Sequence, residues 1–322
     1  MLTRRILTAG LGLSFASQAA LAQQTTPALT PPPAPTPDPV LYLDASLDAD
    51  DRLTIPVMIN GQGPFDFIVD TGADRSVLSV DLAQRLNLTR GPDVMVHGIS
   101  GAQISHTAIV DQLTVGDARL STVNLPVLAA ERVGADGLLG VDVLQGRSVV
   151  MDFHRRRLEI RRSRSAFDLV QLSREVAVIA DDKYGRLTVV DCRVAGARAL
   201  AFIDSGGGVS IGNMALSRAI ATRRRRGLDD VRPAQLLTAS GEITVGQFRI
   251  APSLTLGDVR VTNLPMAFAD LHIFDVWGMN ARPAILLGVD VLQMFARVEL
   301  DFGAGRVVFR LGKTAEPRIM NA

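Results

Sequence analysis

The sequence predicts an all-β protein built as two similar lobes, and three observations lead there. Short runs rich in Val, Ile, Leu and Thr alternate with turns carrying Gly, Asp or Asn, such as Ile59-Asn60-Gly61 and Val115-Gly116-Asp117. The chain has 322 residues, 47% of them hydrophobic, which is enough for two lobes with sizeable cores. Finally, the sequence repeats itself once. Arg52-Leu53-Thr54 returns as Arg186-Leu187-Thr188, and Leu113-Thr114-Val115-Gly116-Asp117 as Leu254-Thr255-Leu256-Gly257-Asp258. The longest block, Leu138-Leu139-Gly140-Val141-Asp142-Val143-Leu144-Gln145, returns over residues 286–293. The offset between copies grows from 134 to 141 to 148, so the second copy carries insertions, expected in loops where added length costs little. The lobes are assigned to residues 41–165 and 174–313.

Residues 1–22 read as an export signal: Arg4 and Arg5, then an apolar stretch over 6–19, then Ala20-Leu21-Ala22 as a cleavage site. Thr3-Arg4-Arg5-Ile6-Leu7 also resembles a twin-arginine signal, so either export route fits. The expected location is periplasmic or secreted. Residues 23–40, with Pro31-Pro32-Pro33, form an extended tether. No later segment is long and uncharged enough to span a bilayer, so stable membrane insertion is not expected once the signal is removed. Within the first copy, Ser79 is a plausible N-cap for a helix over 80–86. A second short helix is expected at 141–145 and again at 289–295, giving two per copy. Asp142 and Asp290 at their starts read as partners of the helix dipole. His97-Gly98-Ile99-Ser100-Gly101 and Ala239-Ser240-Gly241 have the glycine content of hairpin tips.

Composition excludes several functions. A net charge of +1 gives no electrostatic case for nucleic acid, and the arginine clusters at 155–157 and 223–226 read as solvated faces or loop ends. Cys192 is the only cysteine; no internal disulfide can form, and its apolar setting suits a small buried hydrophobe. His97, His106, His154 and His272 lack metal-ligand spacing, so no metal or other cofactor is expected.

The chemistry lies in Asp70-Thr71-Gly72, directly behind Phe67-Ile68-Val69, and Asp204-Ser205-Gly206, behind Phe202-Ile203. One such tripeptide is ordinary turn material. Two at equivalent places in a duplicated chain point to a pair of carboxylates meeting at a two-fold axis. The run Ile68-Val69-Asp70-Thr71-Gly72-Ala73-Asp74-Arg75-Ser76-Val77-Leu78 resembles the active-site loop of retropepsins. Leu138-Leu139-Gly140 and Leu286-Leu287-Gly288 resemble that family's second signature, two apolar residues and a glycine threading beneath the catalytic loop. The similarity spans residues 41–311, twice over, as in an exported bacterial single-chain member of the retropepsin-like and pepsin-like aspartic protease superfamily.

That resemblance implies a bilobal acid-protease fold, two retropepsin-like β-barrel lobes with pseudo-two-fold symmetry, complete as a monomer. It implies an aspartic endopeptidase acting on peptide or protein substrates, exported or membrane proteins among them. Asp70 and Asp204 would be the catalytic pair, supported by Thr71, Gly72, Ser205 and Gly206. Ala73, Asp74 and Gly207 would touch substrate, as would flap residues Gly98, Ile99, Ser100 and Gly101 of the first copy and Ser240 and Gly241 of the second. There are departures. Val141 and Val289 stand where retroviral enzymes usually carry an arginine, so Asp74 is expected to lose its partner. The second loop, Asp204-Ser205-Gly206-Gly207-Gly208, has no acid matching Asp74, which predicts a chemically asymmetric cleft. Ala73 and Gly207 lack the hydroxyl that pepsins place there, so activity is expected in weakly acidic rather than strongly acid solution. A catalytically inactive peptide-binding module on the same fold is the alternative. A glycosidase using paired carboxylates finds no support in the Leu-Leu-Gly repeat.

Overall fold

The computed structural model describes residues 41–44, 46–48, 52–99, 101–163, 175–183, 186–223, 231–237, 243–311 and 319–321, all within one compact unit, Asp38–Ala322. The leader and tether (1–40), the junction at 164–174, Ser100, and residues 238–242 with Ser240 and Gly241 lie outside the described residues.

Each copy closes a six-stranded barrel with the same strand order. In the first, Leu53–Ile59, Gln62–Val69, Gly137–Leu139, Val77–Ser79, Ala118–Leu128 and Ala102–Val115 follow one another, and Met58↔Thr114 pairing closes the ring. In the second, Arg186–Val194, Ala197–Ile203, Ala284–Leu287, Ile211–Gly212, Val259–Phe268 and Ile243–Leu256 do the same, closed by Cys192↔Leu256. An extra strand flanks each barrel, Arg90–His97 in the first copy and Arg232–Leu237 in the second. The apolar runs before the two aspartates are explained by their position. Phe67, Ile68 and Val69 are fully buried, and the run pairs in parallel with Gly137–Leu139; Ala197–Ile203 pairs likewise with Ala284–Leu287. A strand covered on both faces needs no polar alternation.

A sheet shared by both copies was not foreseen from the sequence. Leu41–Asp44, Arg157–Arg162, Arg147–Asp152, Arg297–Asp301, Arg306–Arg310 and the first part of Glu175–Lys183 form six consecutive strands. Its central pair crosses the two-fold axis, with Ser148↔Asp301 and Met151↔Val298. Arg161–Glu299 (2.7 Å) and Arg297–Glu159 (2.6 Å) tie the copies together on the same sheet. One apolar core therefore runs through both lobes, from Leu53 to Phe309.

Six helices occur among the described residues: α1 (Val80–Arg85), α2 (Ala130–Val133), α3 (Val141–Leu144), α4 (Met214–Arg223), α5 (His272–Val276) and α6 (Val289–Leu292). Ser79 caps α1 as expected, its hydroxyl accepting from Leu82 N at 3.1 Å. The expectation of two helices per copy is short by one, because α2 and α5 precede each Leu-Leu-Gly strand. Part of the inserted length in the second copy is also helix rather than loop, since α4 has 10 residues against 6 in α1. Arg223 ends α4, a favourable place for a cation. No helix among the described residues is long and apolar enough to cross a membrane.

Candidate active site

The two Asp-containing loops meet where the barrels face each other, and their hydroxyls interlock. Thr71 Oγ1 donates to Ile203 O at 3.0 Å and accepts from Ser205 N at 3.1 Å. Reciprocally, Ser205 Oγ donates to Val69 O at 2.7 Å and accepts from Thr71 N at 3.1 Å. All four bonds are buried, so neither loop can move without leaving polar groups unsatisfied.

That lock brings the carboxyls together. Gly72 N donates to Asp70 Oδ1 at 2.8 Å; Gly206 N and Gly207 N donate to Asp204 Oδ1 at 3.2 and 3.0 Å. A Cβ on Gly72 would lie 2.7 Å from Asp204 Oδ1 and 3.0 Å from Asp70 Oδ1, so both side chains reach one point. A Cβ on Gly206 would lie 2.3 Å from Asp70 Cγ. Only glycine permits this approach.

Beneath the loops, the repeated apolar strands anchor them. Asp70 N and Asp204 N each donate 3.0 Å to Leu139 O and Leu287 O, and Val141 N and Val289 N donate back to Ala73 O and Gly207 O. Asp142 and Asp290 do more than face helix N-termini. Asp142 accepts from Ser76 N and Oγ, Asp290 from Ser210 N and Oγ, and each serine hydroxyl accepts from the glycine amide at Gly140 or Gly288. They clamp the outgoing end of each active loop, which the dipole reading missed. Burial pushes the Asp290 carboxyl above its ordinary range, opposed by the bonds from Ser210.

The aspartates open into a cleft of about 670 Å³. Its two walls differ. Charged and polar residues Asp74, Arg75, Gln103 and Arg132 line the first-copy side beside apolar ones such as Met95, Leu128 and Leu138, with Arg132 hydrogen-bonded to Gln103. Ile273, Val276, Trp277 and Leu286 line the other. Trp277 packs 4.6 Å from the Phe202 ring and edge-on to Phe274. The predicted asymmetry is present. Asp74 is exposed at the cleft and has an interaction of its own, although Val141 stands where the family's arginine would be.

Ala73, Gly98, Ile99 and Gly101 all reach the cleft, and Gly98 N donates to Gly101 O at 2.8 Å to close the hairpin tip. Gly207 does not line it; its role is the amide bond to Asp204. Sequence reasoning missed Arg52, whose guanidinium is paired with Asp48 at 2.6 Å and donates to Gly206 O at 3.3 Å. The repeated Arg-Leu-Thr was its signal. It also missed Trp277, the only tryptophan, which lies in the segment where the second copy is longer. Cys192 is fully buried, and burial, with Asp191 nearby, pushes its thiol up to about 12, so it is an inert core residue.

No curated protein sequence matches the chain. The aspartyl protease family model does, over residues 55–143 and again over 190–291, one match for each barrel and its Asp loop. Because those two stretches cover more than half of the sequence, the chain belongs to the aspartyl protease family.

Proposed function

We propose that the protein is an aspartic endopeptidase in which Asp70 and Asp204 share one proton and activate a water between them. The observation that carries this reading is the reciprocal Thr71–Ser205 lock, which draws both carboxyls to one point at the floor of the cleft. Two carboxyls so close do not both ionise readily, so one is charged and the other holds the proton. The handling of that proton follows the general behaviour of aspartic proteases. The charged partner takes a proton from the water as it attacks the peptide carbonyl. The protonated partner donates to the carbonyl oxygen, and a proton then passes to the departing amine. Arg52, through Gly206 O, steadies the second loop while charge moves.

The substrate is an extended peptide with a bulky apolar side chain on the Trp277 side of the cut and a polar or charged group within reach of Arg132 on the other, more mixed side. A site of two-fold origin can accept a chain in either direction; unequal walls select one. The molecule acts as a monomer on exported or membrane proteins, exported itself by residues 1–22. Amino-terminal sequencing of the mature protein from a fractionated cell tests the location, and light scattering tests the monomer.

Cleavage of a peptide library by the wild type, with Asp70→Asn and Asp204→Asn each lowering kcat by at least about 10³-fold while leaving the unfolding transition in place, is the expected result. A folded wild type that binds peptides across the pH range but cuts none would establish the binding-module reading instead.

A further inference from the structure

The hairpin tip of the first copy does not hang free above the cleft. His97, at the end of Arg90–His97, places Nδ1 3.1 Å from Nε2 of His272, the first residue of α5 in the other copy. The two rings are nearly parallel, 12° apart with centroids at 5.4 Å. Ile99, two residues on, packs against the apolar cluster of Phe202, Ile273, Trp277 and Leu286. Three of those residues line the cleft, as does Ile99 itself, so the hairpin tip and the apolar wall of the cleft belong to one cluster. Both carboxyls lie in the same cleft.

We propose that His97 and His272 are positioning residues that latch this hairpin across the cleft, and that charging both rings releases it to admit substrate. An imidazole pair joined through Nδ1 and Nε2 needs one N–H and one lone pair. Two neutral rings satisfy this, and so does a pair carrying one extra proton. With two extra protons both nitrogens are donors, the acceptor is gone, and like charges face each other at hydrogen-bond distance. The apolar contact of Ile99 then remains to hold the tip.

Several charged and titratable groups sit on the surrounding elements. Asp270 and Asp275 flank His272 in sequence, and they accept from Met214 N and Asn280 Nδ2 respectively. Farther down the hairpin, Arg90 pairs with Asp93 at 2.8 Å, and Asp93 stands opposite His106 in register. Glu131 and Arg132 belong to α2, and the cleft contributes Arg52, Asp70, Asp74, Arg75 and Asp204. None of these stands in the His97–His272 bond. The effect on substrate entry rests on the peptidase reading; the latch itself does not.

The test is a distance measurement that needs no catalysis. Ile104, 70% exposed on the hairpin, and Arg260, exposed on the second barrel, are replaced by cysteine and spin-labelled in the full chain. Buried Cys192 stays unlabelled. The wild-type distance is expected to be single at about pH 8 and to gain a longer population at about pH 5. His97→Asn combined with His272→Gln keeps an amide N–H and an amide oxygen in place of the two ring nitrogens but cannot charge, so it should hold the hairpin down at both pH values. His97→Ala should show the longer population already at about pH 8, with KM lower by about fivefold and kcat little changed. A wild-type distribution that ignores pH, or an amide variant that opens as the wild type does, would overturn the latch. If the distances behave as stated but no variant cuts peptide, the peptidase reading fails and the latch stands.

Discussion

Two residues show how narrowly the site is drawn. Replacing Gly206 by alanine puts a methyl 2.3 Å from Asp70 Cγ, a distance no carboxyl can tolerate, so Asp70 must swing away. The expected result is a kcat lower by at least about 10²-fold, measured alongside an unfolding transition that remains cooperative. Asp290 makes the opposite kind of claim. Burial raises its pKa above 3.8, so in the interval between the unfolded and folded values the folded chain keeps a proton that the unfolded chain has lost. Its contribution to stability is full below that value and declines as pH rises through the folded pKa. Asp290→Asn should cost about 1 kcal/mol through one lost acceptor at Ser210, yet flatten this decline in urea midpoints taken across the acid range. At this scale the sequence was highly legible for Asp70, Thr71, Gly72 and their counterparts, because the chemistry needs those residue types in that order. For Arg52 it offered only the repeated Arg-Leu-Thr, and it did not show what Arg52 or the two histidines would meet. Their partners lie 154 and 175 residues away, and nothing local in either segment signals the meeting.

Elements were legible in proportion to their length and their end signals. Helix α1 has a serine at its N-cap and an apolar face, and it forms where expected. Ser79→Ala removes the bond to Leu82 N and should lower the unfolding free energy by about 1 kcal/mol, read from chemical denaturation, with kcat unaltered. Helices α2 and α5 span only 4 and 5 residues, and neither has a side-chain cap. Helices so short owe their existence to packing rather than propensity; α3 and α6 are as short and uncapped but follow the repeated Leu-Leu-Gly block, a marker that α2 and α5 lack. The insertions were legible as changes of offset, but not in what they build. One lengthens α4, and another precedes the strand Ala284–Leu287 and supplies Trp277 to the cleft wall. Trp277→Ala should raise KM by about tenfold or more for peptides with an aromatic residue and hardly alter it for those with alanine there, as peptide-series kinetics would show.

For the molecule as a whole, duplication was plain from the repeated blocks, while the shared sheet was not. Strand pairing between Arg147–Asp152 and Arg297–Asp301 depends on partners from different copies, and alternation within each strand cannot name the neighbour. Since that sheet and one continuous core unite the barrels, calorimetry should find a single transition for residues 38–322, with calorimetric and van't Hoff enthalpies equal. Two well-separated transitions would contradict it. The crossed hydroxyls of Thr71 and Ser205 carry a last implication, for biosynthesis. Each finds its acceptor on the opposite copy, so a nascent chain that has emerged only through its first barrel presents a solitary acid with nothing to share its proton. Under the proposed peptidase reading, destructive power would be withheld until the second barrel is made, and a single nick that lets the barrels drift apart would disarm the molecule again.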